Sequence, residues 1–452
     1  MTPAPLRRFL PFVAAAALVL LPALAGAQSL RELYEAARAY DATYLAARAL
    51  YDSAQYRVGQ AEAANKPSVG LTANALRTDA DVPNTVSRGV TIPNTAGHYY
   101  SNRIDAGVNA TQSLYNRNSG VVIEQARRAY EVAQSDLESA EQELIVRVAQ
   151  AYFDVLAAQD TLSTAQAGKK AISEQLASAK RNFEVGTATI TDTREAQARF
   201  DLSTAQEIAA ENDLRTKRIA LDQLVGRANV APKPLAAPVV LPEAAPADVG
   251  VWVGKADQQH PLVRKTRLAL DIARLETERA RAAEGPTVDL VGSVGANRTT
   301  GTLATTPGNA TNATVGVQLR MPLYTGGLTQ NRIKETLSLE DKARNDLDAA
   351  RRGVAQGTRV AFYGLQSGRA QVSALEAAES SSKLALEATQ LGYRVGVRVN
   401  LDVLNAQTQL FQTQRDLARA RYDVVVNGLR LRQASGQLRS DDVNAVNALL
   451  ER

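Results

Sequence analysis

The 452-residue chain contains no cysteine, only two histidines and few aromatic side chains. The absence of cysteine excludes disulfides and a lipid anchor on an N-terminal cysteine, and it is compatible with export into an oxidising compartment. His98 and His260 have no metal-binding partners nearby in sequence, and no phosphate-binding loop or Ser/His/Asp spacing stands out. We therefore expect a protein that is not an enzyme and that has no cofactor or metal site. The formal net charge of +5 is too balanced to indicate a nucleic-acid partner.

Long apolar runs are also missing, except at the N-terminus. Residues 1–27 contain two arginines followed by an apolar stretch, and they end on Ala25-Gly26-Ala27, which predicts a cleaved secretory signal peptide. No later segment approaches the roughly 20 apolar residues of a membrane-spanning helix. If the exported chain enters a membrane, it must therefore do so with β-strands.

The chain instead contains a long internal repeat. The segment 183–197 recurs 210 residues later as 393–407, whereas a segment near Pro67 recurs 219 residues later near Pro286. The difference between these offsets means that one loop is about ten residues longer in the first copy, which surface loops tolerate. The predicted domains are a first repeat at 28–229, a proline-rich linker at 230–249, a second repeat at 250–437 and a C-terminal tail at 438–452.

Each repeat contains two stretches in which apolar and polar residues alternate, which predicts β-strands. These stretches lie near residues 67–76, 104–115, 286–297 and 313–324. Each is about ten residues long, the length of a tilted strand that crosses a bilayer. The same alternation is also typical of a soluble, half-buried sheet. The signal peptide and the unusually long helices favour a membrane barrel.

The remaining sequence is typical of very long helices. From Asn118 to Phe183 there is no proline and a single glycine, and such a helix would span about 100 Å at roughly 1.5 Å per residue. In the last long helix, apolar residues recur every seven residues from Val403 to Leu431, which predicts a coiled coil. These helices are too long for a hydrocarbon layer of about 30 Å, so they must project to one side of the membrane.

Four strands per chain predict an oligomer, because four strands cannot close a barrel and lipid does not tolerate unpaired strand edges. The predicted fold is therefore an α+β membrane protein, built from an internal two-fold repeat. In it, several chains share one β-barrel, and their helices continue that barrel as a long α-helical coiled-coil tube.

Together these features resemble the TolC family of outer-membrane efflux and secretion channels. The resemblance covers essentially the whole mature chain and is most specific at residues 393–398, Tyr-Arg-Val-Gly-Val-Arg, and at 402–406, Asp-Val-Leu-Asn-Ala. It implies a homotrimer with a 12-stranded β-barrel in the outer membrane of a Gram-negative bacterium and a coiled-coil barrel in the periplasm. It also implies outer-membrane lipid, a periplasmic adaptor protein, and an inner-membrane pump or ABC transporter as partners.

The resemblance assigns a gate to the tips of the two helical hairpins. In the family, a tyrosine and an arginine of the last helix pair bond to an aspartate and a threonine of the preceding pair. The matching residues are Tyr393, Arg398, Asp192 and Thr191. A phenol or guanidinium beside a carboxylate forms charge-assisted hydrogen bonds. Without the resemblance, the same polar residues would favour an ordinary helix-turn-helix over a gate.

Two further roles follow from the resemblance. Asp402 would face the duct, where three copies would form a carboxylate ring that attracts cations. The family has a second aspartate three residues on, but this chain has Asn405, so we expect a less charged constriction and a weaker cation block. The expected adaptor contacts, near the closed tip, are Val185, Gly186, Val395 and Gly396.

The expected function is an exit duct for tripartite efflux or type I secretion, closed at its periplasmic tip until the pump and adaptor engage it. The alternative is a soluble periplasmic coiled-coil adaptor or structural protein. An adaptor would need one helical hairpin and separate compact β-domains, whereas this chain has two matched copies. A permanently open channel is disfavoured by the combination of Tyr393, Arg398 and Asp192.

Overall fold

The computed structural model describes residues 27–92, 96–236, 238–239, 241–302 and 307–450, so the predicted signal peptide lies outside the described residues apart from Ala27. The helices are α1 (Leu30–Tyr40), α2 (Ala42–Ala63), α3 (Arg117–Glu184), α4 (Ile190–Val225), α5 (Val249–Gln259), α6 (Pro261–Ala282), α7 (Leu328–Arg394), α8 (Asn400–Ala434) and α9 (Ser440–Asn447). The strands are β1 (Ser68–Val82), β2 (Thr85–Ser87), β3 (Val90–Ile92), β4 (Gly97–Asn116), β5 (Thr287–Thr300) and β6 (Gly308–Arg320). None of the helices formed by the described residues is long and apolar enough to cross a membrane.

Four of the strands form one antiparallel sheet in the order β1-β4-β5-β6. β1 and β4 are longer than the alternating stretches near 67–76 and 104–115, because their pairing continues until Val82 lies opposite Gly97. Main-chain ladder bonds do not depend on side-chain polarity, so the strands continue where the alternation has ended. A short β2–β3 hairpin lies in the connection between them.

The sheet has one apolar and one polar face. One cross-strand row on the apolar face consists of Leu71, Val108, Val294 and Ala313. The neighbouring row on the polar face consists of Thr72, Gly107, Gly295 and Asn312. The apolar face is uncovered within the chain, since Leu71 is 76% exposed and Val294 is 60% exposed. A contiguous apolar surface of this kind requires an apolar surrounding or a partner.

Each repeat connects its sheet strands to helices in the same way. A helix pair precedes the first strand, and a helix of 68 residues (α3) or 67 residues (α7) follows the second. At about 1.5 Å per residue, each of these helices is about 100 Å long. α3 lies between the two repeats, because it contacts α4 of its own repeat and both α6 and α8 of the other.

The helical segment before β1 is divided in the structure into α1 and α2. Asp41 adopts an extended conformation, ends α1 and caps α2 by accepting a hydrogen bond from Tyr44 N (2.8 Å). The second repeat breaks at the equivalent place, 219 residues later, where His260 accepts a hydrogen bond from Leu262 N (3.1 Å). Burial lowers the pKa of His260, which keeps this ring nitrogen available as an acceptor. His260 is followed by Pro261, whereas Asp41 is followed by neither proline nor glycine, so the sequence marks only the second of these two breaks clearly.

The long helices pack through the predicted heptad. All five heptad residues of α8 are buried: Val403, Leu410, Leu417, Val424 and Leu431. In α4, Glu207 occupies the place where the heptad predicts an apolar residue. Its carboxylate accepts a hydrogen bond from Lys169 Nζ on α3 (2.7 Å), and the same ammonium lies 5.7 Å from the ring centroid of Phe200. A cross-helix ion pair therefore replaces one apolar contact in the first repeat.

The largest buried cluster lies around the middle of α3. Phe153 stacks on Tyr422 of α8 with ring centroids 5.7 Å apart, and the Tyr422 hydroxyl donates to Asp160 (2.6 Å). Burial, together with the hydrogen bond to Asp160, raises the pKa of Tyr422 well above its ordinary value, so its hydroxyl remains a donor. This cluster joins the two repeats far from the ends of the hairpins, because α3 continues from Ala158 to Glu184, or about 40 Å, beyond it.

Candidate functional site

The predicted site residues lie at the ends of two helical hairpins, α3–α4 and α7–α8, which we call the first tip (residues 182–192) and the second tip (residues 392–402). Both tips turn on a glycine in the left-handed region, Gly186 and Gly396, each with φ of 80°. The equivalent turn hydrogen bonds run from Thr187 N to Asn182 O (2.8 Å) and from Val397 N to Gly392 O (2.9 Å). The repeat has therefore preserved the same glycine-dependent turn in both copies.

The tips present apolar side chains to the surroundings. The residue that precedes each turn glycine is a largely exposed valine: Val185 is 72% exposed and Val395 is 65% exposed. A Cβ atom at Gly186 or Gly396 would meet nothing within 4 Å. The four residues predicted to contact an adaptor thus form small apolar surfaces at the ends of both hairpins, with open space around the glycines.

The two tips differ in how the following helix begins. In the first tip, Thr189 and Asp192 form a capping box: Asp192 N donates to Thr189 Oγ1 (3.2 Å), and Thr189 N donates to Asp192 Oδ2 (3.0 Å). In the second tip, the N-cap residue is Val399, which has no polar side chain and makes no cap bond. Asp402, the equivalent of Asp192, is therefore free of the cap and pairs with Arg398 (3.6 Å).

The structure does not join the four predicted gate residues to one another within the described part of the chain. Tyr393 Oη accepts a hydrogen bond from Asn182 Nδ2 (3.2 Å), which leaves the phenol proton free to donate. Arg398, in the turn before α8, pairs with Asp402 of α8, and Thr191 is exposed. The tips therefore bring the gate residues to the same end of the molecule, but the gate bonds themselves stay a prediction.

The predicted constriction residues each have a partner within the chain. Asp402 is partly balanced by the guanidinium of Arg398. Asn405 Oδ1 accepts a hydrogen bond from Arg199 Nη2 on α4 (2.9 Å), so its amide ties the two hairpins together. Asn405 of the second repeat thus contacts an arginine of the first.

Sequence reasoning missed the side chain that connects most elements at the tips. Asn400 is 2% exposed, and its Oδ1 accepts a hydrogen bond from Gln175 Nε2 on α3 (2.5 Å). A periodic signal was present, because Asn400 and the buried Gln407 are seven residues apart and lie on one face of α8. One turn of α8 beyond Asn400, a small apolar cluster packs between α3, α4 and α8: Ile172, Leu176, Ala179, Ala196 and Leu404.

The difference between the two caps gives a reciprocal prediction. Thr189→Val should remove the first cap and weaken the start of α4 by about 0.5–2 kcal/mol, while Val399→Thr should stabilise the start of α8. Hydrogen exchange of tip peptides measures both effects. We expect faster exchange around residue 192 in Thr189→Val and slower exchange around residue 402 in Val399→Thr. Unchanged exchange in both variants would contradict the assignment of the two caps.

Comparison with known proteins identifies the family. The chain matches the model of the outer membrane efflux protein family over residues 33–227 and 252–437. It is 34% identical over 448 residues to outer membrane protein TolC of Vibrio cholerae, covering 99% of both chains. It is 35% identical over 314 residues to the alkaline protease secretion protein AprF of Pseudomonas aeruginosa, covering 69% of this chain and 65% of that one. The solved outer membrane protein VceC of Vibrio cholerae has the same fold, with a TM-score of 0.73 at 19% identity over 90% of this chain and 96% of that chain. The chain therefore belongs to the outer membrane efflux protein family.

Proposed function

We propose that three copies of this chain form one exit duct through the outer membrane, which passes substrates from an inner-membrane pump to the exterior. The observation that carries the proposal is the sheet, whose uncovered apolar face is continuous across four strands, two of which, β4 and β6, are followed by helices of about 100 Å. An apolar outer face and a polar inner face are the pattern of a barrel wall in lipid. The helices then extend the same wall into the periplasm.

Closure of the duct requires neighbouring copies. β1 and β6 are the two edges of the four-stranded sheet, and each can pair with the opposite edge of another copy. The helical layer also has exposed apolar side chains on two different helices, as an interface between copies requires. On α4 these are Leu202, Ile208 and Ile219, and on α7 they are Val360, Tyr363 and Leu384. Contact between α4 of one copy and α7 of the next would cover both groups.

The relatives support both efflux and secretion as the use of the duct. One is outer membrane protein TolC, and another is an alkaline protease secretion protein. We propose a periplasmic adaptor and an inner-membrane pump or ABC transporter as the partners that engage the exposed apolar tips. Two matched hairpins joined to membrane-type strands do not fit the alternative of a soluble adaptor, which would need a single hairpin.

The duct is proposed to be gated at the tips by Tyr393, Arg398, Asp192 and Thr191. The phenol proton of Tyr393 has no acceptor among the described residues, and the Arg398 side chain is 62% exposed, so both can reach partners on an adjacent hairpin. Bonds of this partly exposed kind are each worth about 0.5–3 kcal/mol. Three copies acting together can hold the tips closed and still yield to the binding of a partner.

Conductance in planar lipid bilayers tests the duct and its gate. We expect a small single-channel conductance for the wild type, because the tips restrict the duct. Tyr393→Phe combined with Arg398→Ser should raise it severalfold by removing the phenol proton and the guanidinium. Tyr56→Phe is the matched control, because Tyr56 is 70% exposed on α2, away from the tips. Inserted trimers that never conduct would contradict the duct, and equal conductance in all variants would contradict the gate.

The adaptor contact is tested by a pair of nearly isosteric substitutions. Asn and Asp both tolerate the left-handed conformation, so Gly186→Asn with Gly396→Asn should preserve the turns and export. Gly186→Asp with Gly396→Asp adds a charge to the apolar tip surface and should impair export, while trimers still assemble. Substrate export in cells, with trimer content measured in parallel, distinguishes the asparagine double variant from the aspartate double variant. Intact export in the aspartate variant would contradict this placement of the contact.

A further inference from the structure

A single buried amide, that of Asn400, joins three helices at the tips. It is the first residue of α8 and is 2% exposed. Its Oδ1 accepts a hydrogen bond from Gln175 Nε2 on α3 (2.5 Å), and its Nδ2 donates to the carbonyl oxygen of Asp192 on α4 (3.4 Å). One side chain of the second repeat is therefore held by both helices of the first hairpin.

The surroundings of Asn400 keep water away from these bonds. Leu404 lies one turn further along α8, is fully buried, and contacts the apolar cluster with Ile172 and Leu176 of α3. A polar group in such a site has few alternative partners, because the helices that cover it offer mainly apolar side chains. Separation of α8 from the first hairpin would break the hydrogen bond between the side-chain amides of Gln175 and Asn400.

The contact surface between α3 and α8 changes character along its length. Near the end of the hairpins, a hydrogen bond between the side-chain amides of Gln175 and Asn400 joins α3 to α8 beside the small apolar cluster around Leu404, and Asn182 of α3 donates to Tyr393 of α7. Further along α3, the contact becomes aromatic at Phe153 and Tyr422. The tip end of this surface is therefore the part held by a few directional bonds, and Asn400 supplies the more buried of the two.

We propose that Asn400 is a positioning residue of the gate, which holds the second tip against the first through Gln175 and the main chain of Asp192. The proposal rests on the proposed function, since it assumes that the tips move apart when the duct opens. It differs from the gate of Tyr393 and Arg398 in location, because those side chains are partly exposed whereas Asn400 is buried between the hairpins. Asn400 would thus oppose opening without touching the substrate.

The test is a double-mutant cycle of single-channel conductance with Asn400→Leu, Gln175→Leu and the combination. Each single substitution removes the same amide pair, so each should raise the conductance severalfold. The combination should raise it no further than Asn400→Leu alone, because that substitution already removes the hydrogen bond to Gln175 as well as the one to the Asp192 carbonyl. Gln175 is only partly buried, so Gln175→Leu keeps the test valid if Asn400→Leu fails to assemble.

The control is Gln407→Leu, which changes another buried amide of α8 one heptad away. Its Oε1 has no hydrogen-bond partner among the described residues, so its replacement should leave the conductance unchanged. Trimer content and thermal unfolding are measured for every variant, so that a general loss of stability is separated from opening of the gate.

The outcomes distinguish this proposal from the proposed function. Absence of any conductance, in the wild type and in the Tyr393→Phe, Arg398→Ser variant, would overturn the duct itself. If that variant opens but Asn400→Leu and Gln175→Leu conduct like the wild type as intact trimers, the role of Asn400 is overturned and the duct stands. Equal effects of Gln407→Leu and Asn400→Leu, or fully additive effects in the cycle, would also overturn it.

Discussion

The structure depends on one constraint: a β-sheet in lipid has to satisfy every main-chain hydrogen bond. The sheet of this chain is apolar on one face in all four strands, yet both of its edges, β1 and β6, lack a further strand partner among the residues that the structure describes. The apolar face is stable in contact with lipid, but the edge strands would leave main-chain N–H and C=O groups there without hydrogen-bond partners. Assembly of several copies into a closed barrel resolves this conflict, and the helices α2, α3, α6 and α7, each of which precedes or follows a strand of the sheet, then continue the barrel to one side.

The internal repeat explains why the helical ring is regular, and its differences show where the two halves have separate tasks. The turns at Gly186 and Gly396 have the same backbone conformation, and the helix breaks at Asp41 and His260 are equivalent. The caps are not equivalent. A capping box occupies the carboxylate of the first tip, whereas the second tip lacks the cap and leaves its carboxylate to an ion pair. The second hairpin therefore has a less strongly capped start and a more available charge.

The features that the sequence predicted are those with a local or periodic cause. Alternation predicts the strands and their faces, the heptad predicts the buried side of α8, and the repeat predicts the two glycine turns. The rest depends on tertiary contacts. The continuation of β1 to Val82 follows from pairing with β4, and the place of Glu207 follows from Lys169 on another helix. Asn400 belongs to this second group. A polar residue is common at the start of a helix, and only the contact with α3 makes this one buried and hydrogen-bonded between helices.

The central claim is that copies of this chain close their sheets into one barrel around a single duct. Electron cryomicroscopy of the full protein in lipid nanodiscs tests it directly. The account predicts three copies about one axis, with twelve strands in the lipid, with β6 of each copy paired to β1 of the next, and with a continuous helical tube to one side. Separate four-stranded sheets, or helical tubes with no barrel in the lipid, would contradict it.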